Sequence, residues 1–256
     1  MNLKYILGTI ISIPLLPIMY YQGKRIRKTI PSLPEAKGPS GTVKQENEAK
    51  PITILAIGES TFAGVGVATH DEGFTGSFAK AIAASYNTSV DWKVYARSGY
   101  TAKKVTERIL PKVEEASADL ILIGLGGNDA FTLNRPHQWR KDINLLIEKL
   151  RKKYPETPIV FTNMPPIKEF PAFTPLIHFV VGNLVEILGE ELNELIKHHP
   201  KVYYNSAVLT IAHWSKVLGV PPDKSTFFSD GVHPSRFTYQ VWAQEMARFV
   251  KENEIL

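Results

Sequence analysis

Five short runs of aliphatic and β-branched residues, separated by stretches of helical periodicity, restrict this chain more than any other feature. The first is Ile52-Thr53-Ile54-Leu55-Ala56-Ile57, which ends at Gly58; the others occupy residues 92–96, 120–125, 159–162 and 202–204. Runs this short and this apolar read as strands covered on both faces. Between them, residues 76–86, 102–114, 138–153 and 182–198 repeat apolar positions at helical intervals, and residues 234–254 close the chain in the same way. Strands alternating with helices of this length predict an α/β domain with a mainly parallel, five-stranded sheet between two helical layers. That domain is assigned to residues 51–256, and a chain of 256 residues is long enough to bury one sizeable core.

The chain contains no cysteine. A disulfide framework, a thiolate zinc site and a cysteine nucleophile are all excluded by that absence. The formal charge of +5 is confined to the first 50 residues, which hold eight basic side chains against three acidic ones. The remaining 206 residues balance at 22 of each sign. A nucleic-acid reader carries its basic stripe on the folded domain, so no nucleic-acid partner is expected.

Residues 5–23 carry no charge and are rich in Ile and Leu. At about 1.5 Å per residue they reach about 28 Å, close to the thickness of a hydrocarbon core. Pro14 and Pro17 interrupt the run, which membrane helices tolerate. No small-residue cleavage site follows, since the chain continues Met19-Tyr20-Tyr21-Gln22-Gly23. Residues 1–30 are therefore read as an uncleaved membrane anchor, with a cleaved signal and a buried or interfacial helix as the rival readings. Lys24, Arg25, Arg27 and Lys28 follow the run, and the positive-inside tendency then favours a cytoplasmic domain over a periplasmic or secreted one. Residues 31–50, rich in Pro, Gly, Ser, Lys and Glu, read as a flexible linker.

In a parallel sheet, ligands bind beyond the carboxyl ends of the strands. Four segments with chemical content occupy such positions or precede the last helix: Gly58-Glu59-Ser60-Thr61, Arg97-Ser98-Gly99-Tyr100, Gly126-Gly127-Asn128-Asp129 and Asp230-Gly231-Val232-His233. Each alone reads as a turn or a helix cap. Together they supply a hydroxyl nucleophile, a histidine base, a carboxylate three residues from it to orient the imidazole, and hydrogen-bond donors for an oxyanion. Pro234 suits the first position of the last helix, which would hold His233 at the helix start.

These segments resemble the four blocks of the SGNH hydrolases, the GDSL esterase/lipase family, over about residues 52–250. The resemblance implies a flavodoxin-like three-layer α/β/α sandwich. It also implies a serine esterase in which Ser60, Asp230 and His233 form a catalytic triad, and Ser60, Gly99 and Asn128 form an oxyanion hole. No cofactor is implied. The family usually has Asp before the serine, where this chain has Glu59, whose longer side chain is expected to brace the turn. An α/β-hydrolase elbow would need Gly at position 62, which is Phe.

The insert after the fourth run is rich in proline and aromatic residues. Met164, Pro165, Phe170 and Phe173 are its candidates for a substrate pocket, as opposed to a rigid surface loop. An apolar pocket on a membrane-tethered enzyme fits a lipid, acyl or acetyl ester as substrate. The same triad serves an acyltransferase, and the same fold serves a binding module without catalysis. His178, His198, His199 and His213 lack ligand spacing, and no metal is expected.

Overall fold

The computed structural model describes residues 3–46 and 50–256. All five apolar runs form strands, and a sixth strand precedes them. The strands are β1 (Ser40–Val43), β2 (Ile52–Gly58), β3 (Val90–Ala96), β4 (Leu120–Gly124), β5 (Ile159–Phe161) and β6 (Val202–Tyr204). They make one sheet in the order β1-β3-β2-β4-β5-β6. From β3 to β6 every neighbouring pair is parallel, whereas β1 runs antiparallel to β3, with Gly41 opposite Trp92 and Val43 opposite Val90.

The expectation of five strands is corrected by β1. An edge strand with a neighbour on one side only needs no continuous apolar run, and Ser40-Gly41-Thr42-Val43 has none. This strand lies inside residues 31–50, the stretch expected to be a flexible linker. Residues 47–49 of that stretch, like residues 1 and 2 of the expected anchor, lie outside the described part.

Helices Phe74–Tyr86 and Arg236–Glu252 pack against each other on one side of the sheet; Ala102–Arg108, Pro136–Lys153 and Asn183–Ile196 form the layer on the other. The helix expected over 102–114 ends at Arg108, because Pro111 cannot continue it and directs Leu110–Lys112 into a 3-10 turn. The last helix begins two residues after Pro234. Ser235 is its N-cap, its hydroxyl accepting from the Thr238 N–H, and Pro234 instead pairs with Phe228 in an isolated bridge. Ile211–Leu218 is a further helix that the periodicity did not mark.

The strands from Ile54 and Leu120 onward are fully buried, as central strands between two helical layers must be. Phe62, Phe74 and Phe78 stack in sequence beneath the first loop after β2, and Trp242 meets Phe74 edge to face at 5.0 Å. The chain leaves β2 for β3 on one side and returns to β4 on the other. That reversal opens a crevice at the carboxyl end of β2.

At the amino end, helical structure runs from Leu3 to Thr29 with a 3-10 turn at Ile13–Leu15, where Pro14 lies. Residues Lys4–Thr29 form a helix long and apolar enough to cross a membrane, with only 6% of its most apolar window buried. It touches the domain through the Lys4–Glu190 ion pair and through a hydrogen bond from the Thr174 hydroxyl to Gln22.

Candidate active site

The loop after β2 carries Ser60, the loop after β3 carries Gly99, and the short helix Gly127–Phe131 after β4 carries Asn128. All three line one cavity of about 240 Å³ together with His233. Its apolar wall includes Phe131, Pro165, Pro166 and Phe170. Trp214, Phe228 and Trp242, from the carboxyl-terminal third, complete it.

Asp230 and His233 form a close pair, with Oδ2 of Asp230 2.7 Å from Nδ1 of His233. The other carboxylate oxygen accepts the backbone N–H groups of Val232 at 2.9 Å and His233 at 2.7 Å. The Asp230 side chain is 1% exposed and that of His233 22%. Burial works against the Asp230 charge, but the hydrogen bonds from the His233 side chain and backbone outweigh it and hold the carboxyl below its ordinary range. With Nδ1 engaged by Asp230, Nε2 is the nitrogen left for proton transfer. Ser60 and His233 both line the cavity and share no direct hydrogen bond.

Among the described residues, the backbone N–H groups of Ser60 and Gly99 take no part in the hydrogen bonding of the fold. Gly99 has φ of +80°, a conformation that strains any residue with a Cβ, and a Cβ there would meet nothing within 4 Å. The loop is exposed, so glycine is required by the turn and not by crowding.

Glu59 is buried beneath this cluster. Its carboxylate accepts from the Gly127 N–H at 2.8 Å, the Asn128 N–H at 3.0 Å and the Asn128 side-chain amide at 2.6 Å. The second amide hydrogen of Asn128 points to the Tyr100 carbonyl at a longer 3.2 Å. Burial pushes the Glu59 carboxyl up to about 7, against the pull of the Asn128 and Gly127 hydrogen bonds and with a further push from the charge of Asp129. Asp129 is itself pushed up to about 6 by burial; it accepts the Ala102 N–H at 2.9 Å and the Asn134 amide at 3.0 Å. The two carboxylates thus lace the Ser60, Gly99 and Asn128 loops together.

The Ser60 loop is also held from below, where the buried hydroxyl of Tyr239 donates to the Val65 carbonyl at 2.7 Å. Trp242 Nε1, on the same helix, ties the segment after β5 by donating to Asn163 Oδ1 at 2.9 Å.

Of the four pocket candidates, Pro165 and Phe170 line the cavity. Phe173 lies one ring behind, against Phe131 and Phe170 at 5.5 Å each. Met164 is mostly buried and faces a separate cavity shared with Tyr204 and Gly189. Roles for Trp214, Phe228 and Trp242 had no motif to announce them, whereas Asp129 stood in the Gly126-Gly127-Asn128-Asp129 segment without a role of its own. Among the described residues, no group of three or more His, Asp or Glu side chains gathers to hold a metal ion.

Residues 56–241 match the sequence pattern of the GDSL-like lipase/acylhydrolase family. A GDSL esterase/lipase of Arabidopsis thaliana is 26% identical over 205 residues, covering 72% of this chain and 83% of the relative. Among solved structures, TesA superposes with a TM-score of 0.58 at 19% identity, over 80% of this chain and 99% of its own. The psychrotrophic esterase EstA from Pseudoalteromonas sp., solved inhibited by monoethylphosphonate, gives 0.56 at 17% identity over 78% and 97%. Both share the fold.

Proposed function

The chain belongs to the GDSL-like lipase/acylhydrolase family, and we propose that it is a serine esterase cleaving a carboxylic ester through an acyl-enzyme on Ser60. The observation that carries this reading is the convergence of Ser60, His233, Gly99 and Asn128 on one cavity, with Asp230 2.7 Å behind the imidazole.

In this reading His233 Nε2 takes the Ser60 hydroxyl proton as Oγ attacks the ester carbonyl. The carbonyl oxygen becomes an oxyanion, met by the Ser60 and Gly99 N–H groups and by the Asn128 amide hydrogen now lent to Tyr100. Asp230 stabilises the imidazolium. The imidazolium then gives its proton to the departing alcohol, and the C–O bond of the ester breaks. Water, deprotonated by His233, attacks the acyl-enzyme; the acid leaves, and the proton returns to Ser60.

Phe131, Pro165 and Phe170 favour an apolar acyl group. The amino-terminal helix is read as the membrane anchor, which fits a lipid or acylated surface component as the natural ester. The test uses the full chain in detergent with a chain-length series of chromogenic esters and a serine-directed phosphonate. One label per chain, at Ser60, with turnover lost in parallel, supports the esterase. A folded protein with neither label nor turnover overturns it in favour of a binding module.

A further inference from the structure

Within the Gly99 loop a single backbone bond, from the Tyr100 N–H to the Arg97 carbonyl at 3.3 Å, closes the turn. Arg97, Ser98 and Gly99 are exposed, and packing does not fix the N–H of Gly99. On the sheet side the Arg97 N–H reaches the Gly58 carbonyl at 3.2 Å. The opposite side is held from the stretch that reads as a linker. Glu35 Oε1 accepts the Ser98 N–H at 2.7 Å, and Oε2 accepts Arg97 Nη1 at 3.0 Å. These partners lie 63 and 62 residues apart in the chain.

The same stretch clamps the nucleophile loop. The Ala36 N–H donates to the Ala63 carbonyl at 2.9 Å, and Lys37 exchanges hydrogen bonds with Ala68 and His70 at 3.0 and 2.9 Å. Gly64 permits the approach, because a Cβ there would stand 2.5 Å from that of Ala36. Beyond it the Val94 N–H reaches the Pro39 carbonyl at 2.7 Å, and β1 then zips onto β3. The family pattern begins only at residue 56, so residues 35–43 lie ahead of it while their partners lie within it.

We propose that residues 35–43 are a strap that sets the oxyanion hole, with Glu35 the positioning residue that aims the Gly99 N–H through its bond to the neighbouring Ser98 N–H. The proposal rests on the esterase reading for its kinetic consequence only. A carboxylate bonded to a backbone N–H is a contact that survives partial exposure, and the exposed Arg97 guanidinium on the other oxygen is not needed for it. Glu35 touches no substrate; it acts through the loop.

Full-length Glu35→Ala, Glu35→Gln and Arg97→Ala chains test it, read by ester kinetics, phosphonate inactivation rate, thermal midpoint and hydrogen exchange of the 95–101 segment. Glu35→Ala is expected to lower kcat and the inactivation rate together by about 10- to 100-fold with KM within twofold. Glu35→Gln and Arg97→Ala, which keep an acceptor for Ser98, are expected to stay within about threefold of wild type. Exchange at Ser98, the N–H that Glu35 holds, is expected to rise only in Glu35→Ala. Unchanged kcat with a lowered thermal midpoint, or loss of activity in Glu35→Gln equal to that in Glu35→Ala, overturns the positioning role. If the wild-type chain turns over no ester, the esterase reading fails, and unaltered exchange in Glu35→Ala is then what sinks the strap.

Discussion

Asp230 holds His233 twice: Oδ2 meets the imidazole Nδ1 at 2.7 Å while Oδ1 takes the backbone N–H of the same residue at 2.7 Å. Ring and backbone are therefore fixed by one carboxylate within a four-residue loop. His233 needs no support from a distant element for its orientation, and Asp230 cannot drift from the imidazole it holds.

Asp230→Asn should lower kcat by about 10⁴-fold, since an amide cannot fix the imidazole as the carboxylate does. The folded pKa of Asp230 lies below its unfolded value. The stability it contributes is thus present above the unfolded pKa and lost as pH falls through the folded one. Acid unfolding of the Asn variant, followed by circular dichroism, should lose that part of the pH dependence. An unchanged acid profile would contradict the linkage.

Glu59 has the opposite sign. Its folded carboxyl stays protonated up to about 7, whereas the unfolded group releases its proton near 4.5. Between those values the folded state holds more protons, so this group lowers stability as pH rises through the window. Asp129 acts likewise between its unfolded 3.8 and about 6. In Glu59→Gln the thermal midpoint should change less between pH 5 and 7 than in wild type. Its kcat should fall about 10- to 100-fold, because a Gln amide cannot accept all three N–H groups now on the carboxylate. A midpoint curve parallel to wild type would show that burial does not hold the proton.

Asn128→Ala should reduce kcat by about 10²- to 10³-fold with little change in KM. A change confined to KM would place the amide on the ground-state substrate and not on the oxyanion.

Tyr239→Phe removes a buried hydroxyl that donates to the Val65 carbonyl. Leaving that carbonyl unpaired should cost about 1–2 kcal/mol in urea unfolding. Activity at saturating substrate should change far less than stability, since Tyr239 holds the loop from below the core. A larger loss of kcat than of stability would show that the loop geometry depends on this bond.

Much of this site was legible because its chemistry is local in sequence. Ser60, Gly99 and Asn128 each follow a strand that its apolar run announces, and Asp230 and His233 share a turn. What was not legible depends on distance along the chain. Strand β1 lacks a buried face of its own, so Ser40-Gly41-Thr42-Val43 looks like a polar spacer until Trp92 is seen over Gly41. Glu35 is one carboxylate in a Pro- and Lys-rich stretch, and its partners lie more than 60 residues away. Trp242 reaches the cavity from the last helix, where helical periodicity marks it only as core, and Trp214 from Ile211–Leu218, a helix that the periodicity did not mark. The insert was half legible: its composition marks an apolar wall, but only the backbone path separates Phe170 at the cavity from Phe173 behind it.

The docked strap also changes the radius of action of the catalytic domain. A free coil of 20 residues would let the domain wander about 25 Å from the end of the amino-terminal helix. With Glu35 pinned, the residues between Thr29 and Glu35 span at most about 20 Å even fully extended, and the Lys4–Glu190 and Gln22–Thr174 contacts draw the helix closer still. With that helix read as a membrane anchor, an enzyme so tethered would graze a thin layer above the bilayer instead of sampling the surrounding volume. Its supply would then be counted as ester per unit of surface, and an abundant soluble ester would compete poorly with a sparse one held in the bilayer.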